Sequence, residues 1–150
     1  MALSQDLLHL HRRYSGAVTF KFGDSADLSA RLIRLVRVGK KTATTGALRD
    51  FEQGEPLPEP GRCDIVLNWS GDPELVIKTE EVVKCRFLDV TDDMALAEGE
   101  RETREAWAAD HRAYFLRNGG FSEDMMVVWE RFSIVEDLRC PDRTNDGALG

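Results

Sequence analysis

The chain has 150 residues, 42% of them hydrophobic and 31% charged, with a formal net charge of −7. That length suits one domain with its own core, and the acidity argues against a hold on long duplex DNA, which takes many phosphate contacts on a basic surface. No apolar run approaches the ~18–20 residues of a membrane helix, so no membrane partner is expected.

Residues 4–14 read as a first helix, with Leu7, Leu8, Leu10 and His11 as a partial apolar stripe. Leu28, Leu32, Leu35 and Val36 recur at i, i+4, i+7 and i+8, which predicts a second helix. Asp24 is its expected N-cap, Asp27 lies near its positive end, and Gly39 is its expected stop. Arg31, Arg34, Arg37, Lys40 and Lys41 form a basic band along its C-terminal half. Such a band either complements the helix dipole in solvent or forms the positive rim of a cleft. Residues 41–48 then read as a strand, and residues 50–61, with Gly54, Pro56, Pro58, Pro60 and Gly61, as a loop.

Strands are predicted at 63–69, 74–83 and 85–90, the first two joined by a turn at Ser70-Gly71-Asp72-Pro73. Thr91-Asp92-Asp93 opens a short helix through Ala97. Residues 102–117 form a longer one, with Trp107, His111, Tyr114 and Phe115 on one face and Asn118-Gly119-Gly120 at its end. A last strand is expected at 125–135, and the tail from Arg139 shows no pattern and reads as flexible. Strands clustered without regular βαβ alternation predict an α+β fold, with a mostly antiparallel sheet or small barrel. It would be one domain over 1–138 with a flexible tail over 139–150.

The N-terminus shows no secretory pattern. Cys63, Cys85 and Cys140 are odd in number and far apart, with no C-x-x-C spacing, which predicts a reducing, cytoplasmic setting. His9, His11 and His111 are scattered, so no metal site is expected. There is no G-x-G-x-x-G, P-loop or H-E-x-x-H motif.

Three stretches carry chemistry. Gly39-Lys40-Lys41-Thr42-Ala43-Thr44-Thr45-Gly46 gathers two lysines and three hydroxyls where a helix hands over to a strand. Its bland reading is a glycine stop, solvated lysines and strand-forming threonines. Ala97-Glu98-Gly99-Glu100-Arg101-Glu102 reads either as carboxylates at a helix entrance or as a glycine turn aiming Glu98 or Glu100 into a cavity. A carboxylate facing a lysine is the pair that proton transfer needs. In Val128-Trp129-Glu130-Arg131-Phe132, alternation puts Val128, Glu130 and Phe132 on one face, Trp129 and Arg131 on the other. Trp69 and Trp107 serve as core residues or as base-stacking platforms, and His111 reads as a helix-face residue between aromatics rather than a base.

In order, Gly39-Lys40-Lys41-Thr42-Ala43-Thr44, Pro60-Gly61-Arg62-Cys63-Asp64-Ile65-Val66, Val76-Ile77-Lys78-Thr79-Glu80-Glu81-Val82, Ala97-Glu98-Gly99-Glu100 and Glu130-Arg131-Phe132 resemble the ASCH family over roughly residues 20–136. The resemblance implies a PUA-like small β-barrel with helices packed outside, acting on RNA or RNA-derived nucleosides. One branch of that family removes the acetyl group from the exocyclic amine of acetylated cytidine, without metal or other cofactor. Carried onto this chain, its catalytic set is Lys41 as base, Thr44 as nucleophile and Glu100 as proton carrier. Lys40, Thr42, Arg34, Glu98, Trp107 and Arg131 are the expected ligand contacts. The expected partner is a nucleoside or short single-stranded RNA. Other members resemble metal-dependent ribonucleases or RNA-binding modules without catalysis, which are the alternative readings. The chain is longer than the small amidohydrolases and resembles a larger bacterial branch. Residues three apart in a regular strand face opposite ways, so Lys41 and Thr44 cooperate only if the chain starts irregularly after Gly39.

Overall fold

The structure, a computed structural model, describes residues 5–139. Its elements are α1 (Gln5–Arg13), β1 (Thr19–Phe20), α2 (Ala26–Arg37), β2 (Ala43–Ala47), α3 (Leu48–Glu52), β3 (Cys63–Leu67), β4 (Pro73–Arg86), a 3-10 turn (Phe87–Asp89), α4 (Asp92–Leu96), α5 (Arg104–Arg117) and β5 (Met126–Asp137). The class is α+β, as the pattern predicts.

The strands form one mixed sheet in the order β1-β3-β4-β5-β2. Only the β1–β3 pair is parallel; β3–β4, β4–β5 and β5–β2 are antiparallel. The sheet is open, with β1 and β2 as its edges, and does not close into the expected barrel. Its backbone is the long β4–β5 pair, whose register shifts at Val76/Ile77 and Thr79/Glu81. Such bulges bend and twist a strand.

Helices α1, α2 and α5 each seal an apolar face against this sheet. Leu32, Ile33 and Val36 of α2 pack on Phe22, Val66, Leu75, Ile77 and Phe132. Trp107, Ala108 and Phe115 of α5 join Phe87, Val90, Ala95, Ala47 and Val127 in a second cluster, and Leu7 and Leu10 of α1 cover Ile65 and Val76. Full burial of one such aliphatic or aromatic side chain contributes roughly 1.5–3 kcal/mol.

Local chemistry sets the start and end of α2. Its N-cap is Ser25, whose hydroxyl accepts from the Leu28 N–H at 3.2 Å. Asp24, the expected cap, instead binds Arg117 and Asn118. At the other end Gly39 takes φ +85°, its N–H bonds to the Val36 carbonyl, and the N–H of Lys40 reaches back to Leu35. That pair of bonds is a Schellman stop. The N–H of Lys41 also bonds to Leu35, and the N–H of Thr42 goes to Ala97. Lys41 therefore sits between helix and strand, ahead of the first β2–β5 pair at Ala43↔Arg131.

Three other expectations change, and one strand is new. The strand expected over 41–48 is confined to Ala43–Ala47, followed at once by α3. The strand predicted at 85–90 ends at Arg86 and tightens into the 3-10 turn. The two-residue strand β1 has no local pattern and forms only because β3 is there to pair with it. Arg139, placed in the tail by sequence, pairs with Glu74 at 2.5 Å; the rest of that tail, 140–150, lies outside the described residues. No helix of the described residues is long and apolar enough to cross a membrane.

Candidate functional site

A cavity of about 750 Å³ opens between α2, the free edge of β2, the 97–101 segment and α5. Lys41, Thr44, Glu98 and Glu100 all line it. Lys41 is 1% exposed and Glu98 fully buried.

Gly99 makes the approach possible. Its φ is +70°, and a Cβ there would overlap the carbonyl of Lys40 and stand 2.8 Å from the Lys41 nitrogen. Only a residue without a side chain lets the 97–100 segment lie this close to the start of β2. The Thr42 N–H and hydroxyl both donate to the Ala97 carbonyl, at 2.8 and 3.0 Å, which fixes the segment along the strand edge.

Glu98 is the hub. Its Oε1 accepts from Lys41 Nζ at 3.3 Å and faces His111 Nε2 at 3.3 Å; its Oε2 accepts from the Thr45 hydroxyl at 2.5 Å and from the Trp107 indole N–H at 2.9 Å. A carboxylate offers about four acceptor positions, and here protein donors fill them. Burial alone would push the Glu98 carboxyl up. Together the charge of Lys41, the charge and hydrogen bond of His111 and the Thr45 hydroxyl outweigh it and hold the group down at about 2. Glu98 is thus a fixed anion.

His111 answers it. Nδ1 meets the Trp107 carbonyl at 2.9 Å while Nε2 meets Glu98, so both ring nitrogens face acceptors. An imidazole donates from both nitrogens only as the cation. Burial pulls its pKa down, but the Glu98 charge and hydrogen bond, with smaller help from the Trp107 carbonyl and Glu100, raise it. The residue read as a mere helix-face position is an electrostatic member of the site.

Glu100 differs from Glu98. Its Oε2 accepts from Lys41 Nζ at 2.7 Å, the shortest contact of that amine, and the residue is half-buried. Lys41 also lies over the Phe22 ring, 5.8 Å from its centroid. The amine thus has one structural carboxylate and one open to the cavity, together with an apolar wall.

A second group of polar residues lines the same cavity. Thr44 pairs in register with Glu130, so the two side chains share a face of the β2–β5 ladder. Glu130 Oε2 accepts from the Thr79 hydroxyl at 2.9 Å. Burial pushes the Glu130 carboxyl up, the Thr79 hydrogen bond and Arg62 oppose this, and Asp64 adds to it. Arg62 grips Asp64 through two bonds of 2.8 and 3.0 Å.

Five expected ligand contacts do not line the cavity. Arg34 and Lys40 are exposed, because the helix face and the Schellman turn that carry them point to solvent. The Thr42 hydroxyl is spent on Ala97. Trp107 is buried behind Glu98, which it orients. Arg131, on the other side of β5 from Glu130, pairs with Glu81 at 3.3 Å.

Sequence reasoning missed Thr45, His111 and Glu130 as cavity residues. Thr45 belongs to the same lysine-and-threonine stretch as Lys41 and Thr44, and that cluster of hydroxyls was the available signal. The other two depend on which strand and helix meet β2. Among the described residues, no group of three His, Cys, Asp or Glu side chains is placed to hold a metal ion.

The ASCH domain family model matches residues 18–136. A solved protein from Enterococcus faecalis V583 is similar at 30% identity and TM-score 0.78, covering 93% of this chain and 89% of that one. An ASCH domain from Lactobacillus crispatus JV V101 is similar at 28% identity and TM-score 0.75, covering 89% and 86%. No curated protein matches the chain. With 119 of its residues under the family model and the fold shared with these two structures, the chain belongs to the ASCH domain family.

Proposed function

We propose that this protein binds an RNA-derived ligand in the cavity and hydrolyses the exocyclic amide of an N4-acylated cytidine. The observation that carries the reading is the buried Lys41 ammonium held between Glu98 and Glu100 on a cavity that Thr44 also lines. The volume lies in the ~300–1,000 Å³ range of small-molecule sites.

The reaction uses that arrangement as follows. Lys41 passes a proton to Glu100 across 2.7 Å. The resulting amine takes the Thr44 hydroxyl proton as Oγ bonds to the acyl carbon. The C–N bond breaks, the protonated Glu100 delivers its proton to the departing exocyclic nitrogen, and cytidine leaves. Glu100, again a carboxylate, activates water, which splits the acyl-threonine ester and restores the hydroxyl. Glu98 stays ionised throughout and keeps Lys41 in place.

Incubation with N4-acetylcytidine, followed by chromatography of released cytidine, tests this. Glu100→Gln is expected to lower kcat/KM by about 10²–10⁴, the usual worth of a proton-transfer group, and Lys41→Ala by at least as much. Undiminished turnover in Glu100→Gln removes it from the mechanism.

One observation favours a second reading, an RNA-binding module or ribonuclease. Lys21 and Arg31 line the cavity and donate to the carbonyls of Trp69 at 2.9 Å and Glu100 at 3.5 Å, which leaves both cations available to phosphate. Labelled single-stranded RNA separates the cases. Salt-sensitive binding without product marks the module; strand cleavage, with or without a divalent cation, marks the nuclease.

A further inference from the structure

Outside the lysine cluster, the cavity is lined by a carboxyl group on the central strand β5, that of Glu130, whose acceptor capacity is largely unused. Among the described residues Glu130 receives a single hydrogen bond, from Thr79 to Oε2. About three acceptor positions remain, including those of Oε1. None of its neighbours among the described residues donates to that oxygen. Across β2 stands Thr44, and across β4 the apolar Val82. The nearby guanidinium of Arg62 is committed to Asp64 by two short bonds. On the cavity wall those positions are left to water, or to a ligand group that displaces it and donates in its place.

The register fixes where that donor would come from. Directly opposed residues of an antiparallel pair hold their Cβ atoms ~4.5–5.5 Å apart, so a group attacked by the Thr44 hydroxyl has Glu130 beside it. For an acylated exocyclic amine, the atom next to the acyl carbon is a nitrogen bearing one hydrogen.

We propose that Glu130 is the specificity-determining residue of the cavity, accepting a hydrogen bond from the exocyclic N–H of the ligand and so favouring an amino-bearing pyrimidine over its carbonyl counterpart. This rests on the nucleoside reading above. A uracil ring places a carbonyl oxygen where cytosine has its amine, and two acceptors then face each other across Glu130.

Calorimetric titration of the full chain with cytidine and with uridine tests it. The wild-type protein is expected to bind cytidine about 10- to 100-fold more tightly, the worth of one hydrogen bond to a charged group. Glu130→Gln, whose amide turns to offer either its oxygen or its N–H, is expected to bring the two affinities within about threefold, with the melting temperature little changed. Glu130→Asp, which keeps the charge and shortens the reach, is expected to weaken cytidine alone, and it stands in should the glutamine variant not fold. Equal affinities in the wild type, or a preference that survives in Glu130→Gln, overturn the role of Glu130 and leave the nucleoside reading intact. Failure of the wild type to bind either nucleoside overturns both.

Discussion

The indole nitrogen of Trp107 lies 2.9 Å from Glu98 Oε2, so a side chain with no surface on the cavity orients the carboxylate that holds Lys41. Trp107 also stacks between Phe87 and His111, at centroid distances of 5.2 and 4.4 Å. Trp107→Phe keeps much of that packing and removes the donor. It is expected to destabilise the fold by about 1–3 kcal/mol, the cost of an unsatisfied buried acceptor, measured by urea denaturation. The proposed hydrolysis should slow as well, because Glu98 loses one of the bonds that fix its orientation.

Gly99 is the position least able to change. Alanine there meets both the left-handed φ and the Lys40 carbonyl, so the 97–100 segment must move away from β2. The left-handed conformation alone costs a β-carbon roughly 1–2 kcal/mol, and the overlap adds to it. NMR titration of His111 reports the outcome independently of activity: with Glu98 displaced, its pKa should fall back toward the ordinary value.

Lys41 and Glu98 form a buried pair, and breaking one half should hurt more than removing both. Lys41→Met strands the Glu98 anion and is expected to destabilise by about 3–5 kcal/mol. Adding Glu98→Gln removes the stranded charge and should recover more than about 1 kcal/mol of that loss. Additive effects in the double-mutant cycle would show that the two do not interact.

Two titrations set the pH range of greatest stability. Glu98, held at about 2 against an ordinary 4.5, contributes stability that is present above pH 4.5 and lost as the pH falls toward 2. The shift corresponds to roughly 3 kcal/mol. His111, raised above its ordinary 6.5, contributes stability that is complete below pH 6.5 and lost as the pH climbs through its folded value. Melting temperature should therefore peak between about pH 4.5 and 6.5 as far as these two groups decide it. In His111→Gln the decline on the alkaline side should flatten.

Local rules made part of this molecule readable in advance. The apolar spacing of Leu28, Leu32, Leu35 and Val36, with Gly39 beyond, marked α2 because helix contacts and the Schellman stop involve near neighbours in the chain. Alternation alone likewise separates Glu130 from Arg131. What was not readable depends on partners far away in sequence. The two residues of β1 become a strand only beside β3, and the bulges of β4 appear only once β5 is laid against it. The His111 pKa is raised chiefly because Glu98, thirteen positions earlier, turns back under α5. Arg34, Lys40, Thr42 and Arg131 lie near Lys41 or Glu130 in sequence, but the helix face, the turn, the edge bond and the strand face send them elsewhere.

The bonds from Thr42 to Ala97 have a consequence for solubility. β2 is the last strand of the sheet, and an unshielded last strand invites pairing with another molecule. The glycine-bearing segment that brings Glu98 and Glu100 to Lys41 also occupies the beginning of that border. Any change that frees the segment would therefore undo two things together, and a variant made to probe chemistry could reveal itself first as a protein that clumps.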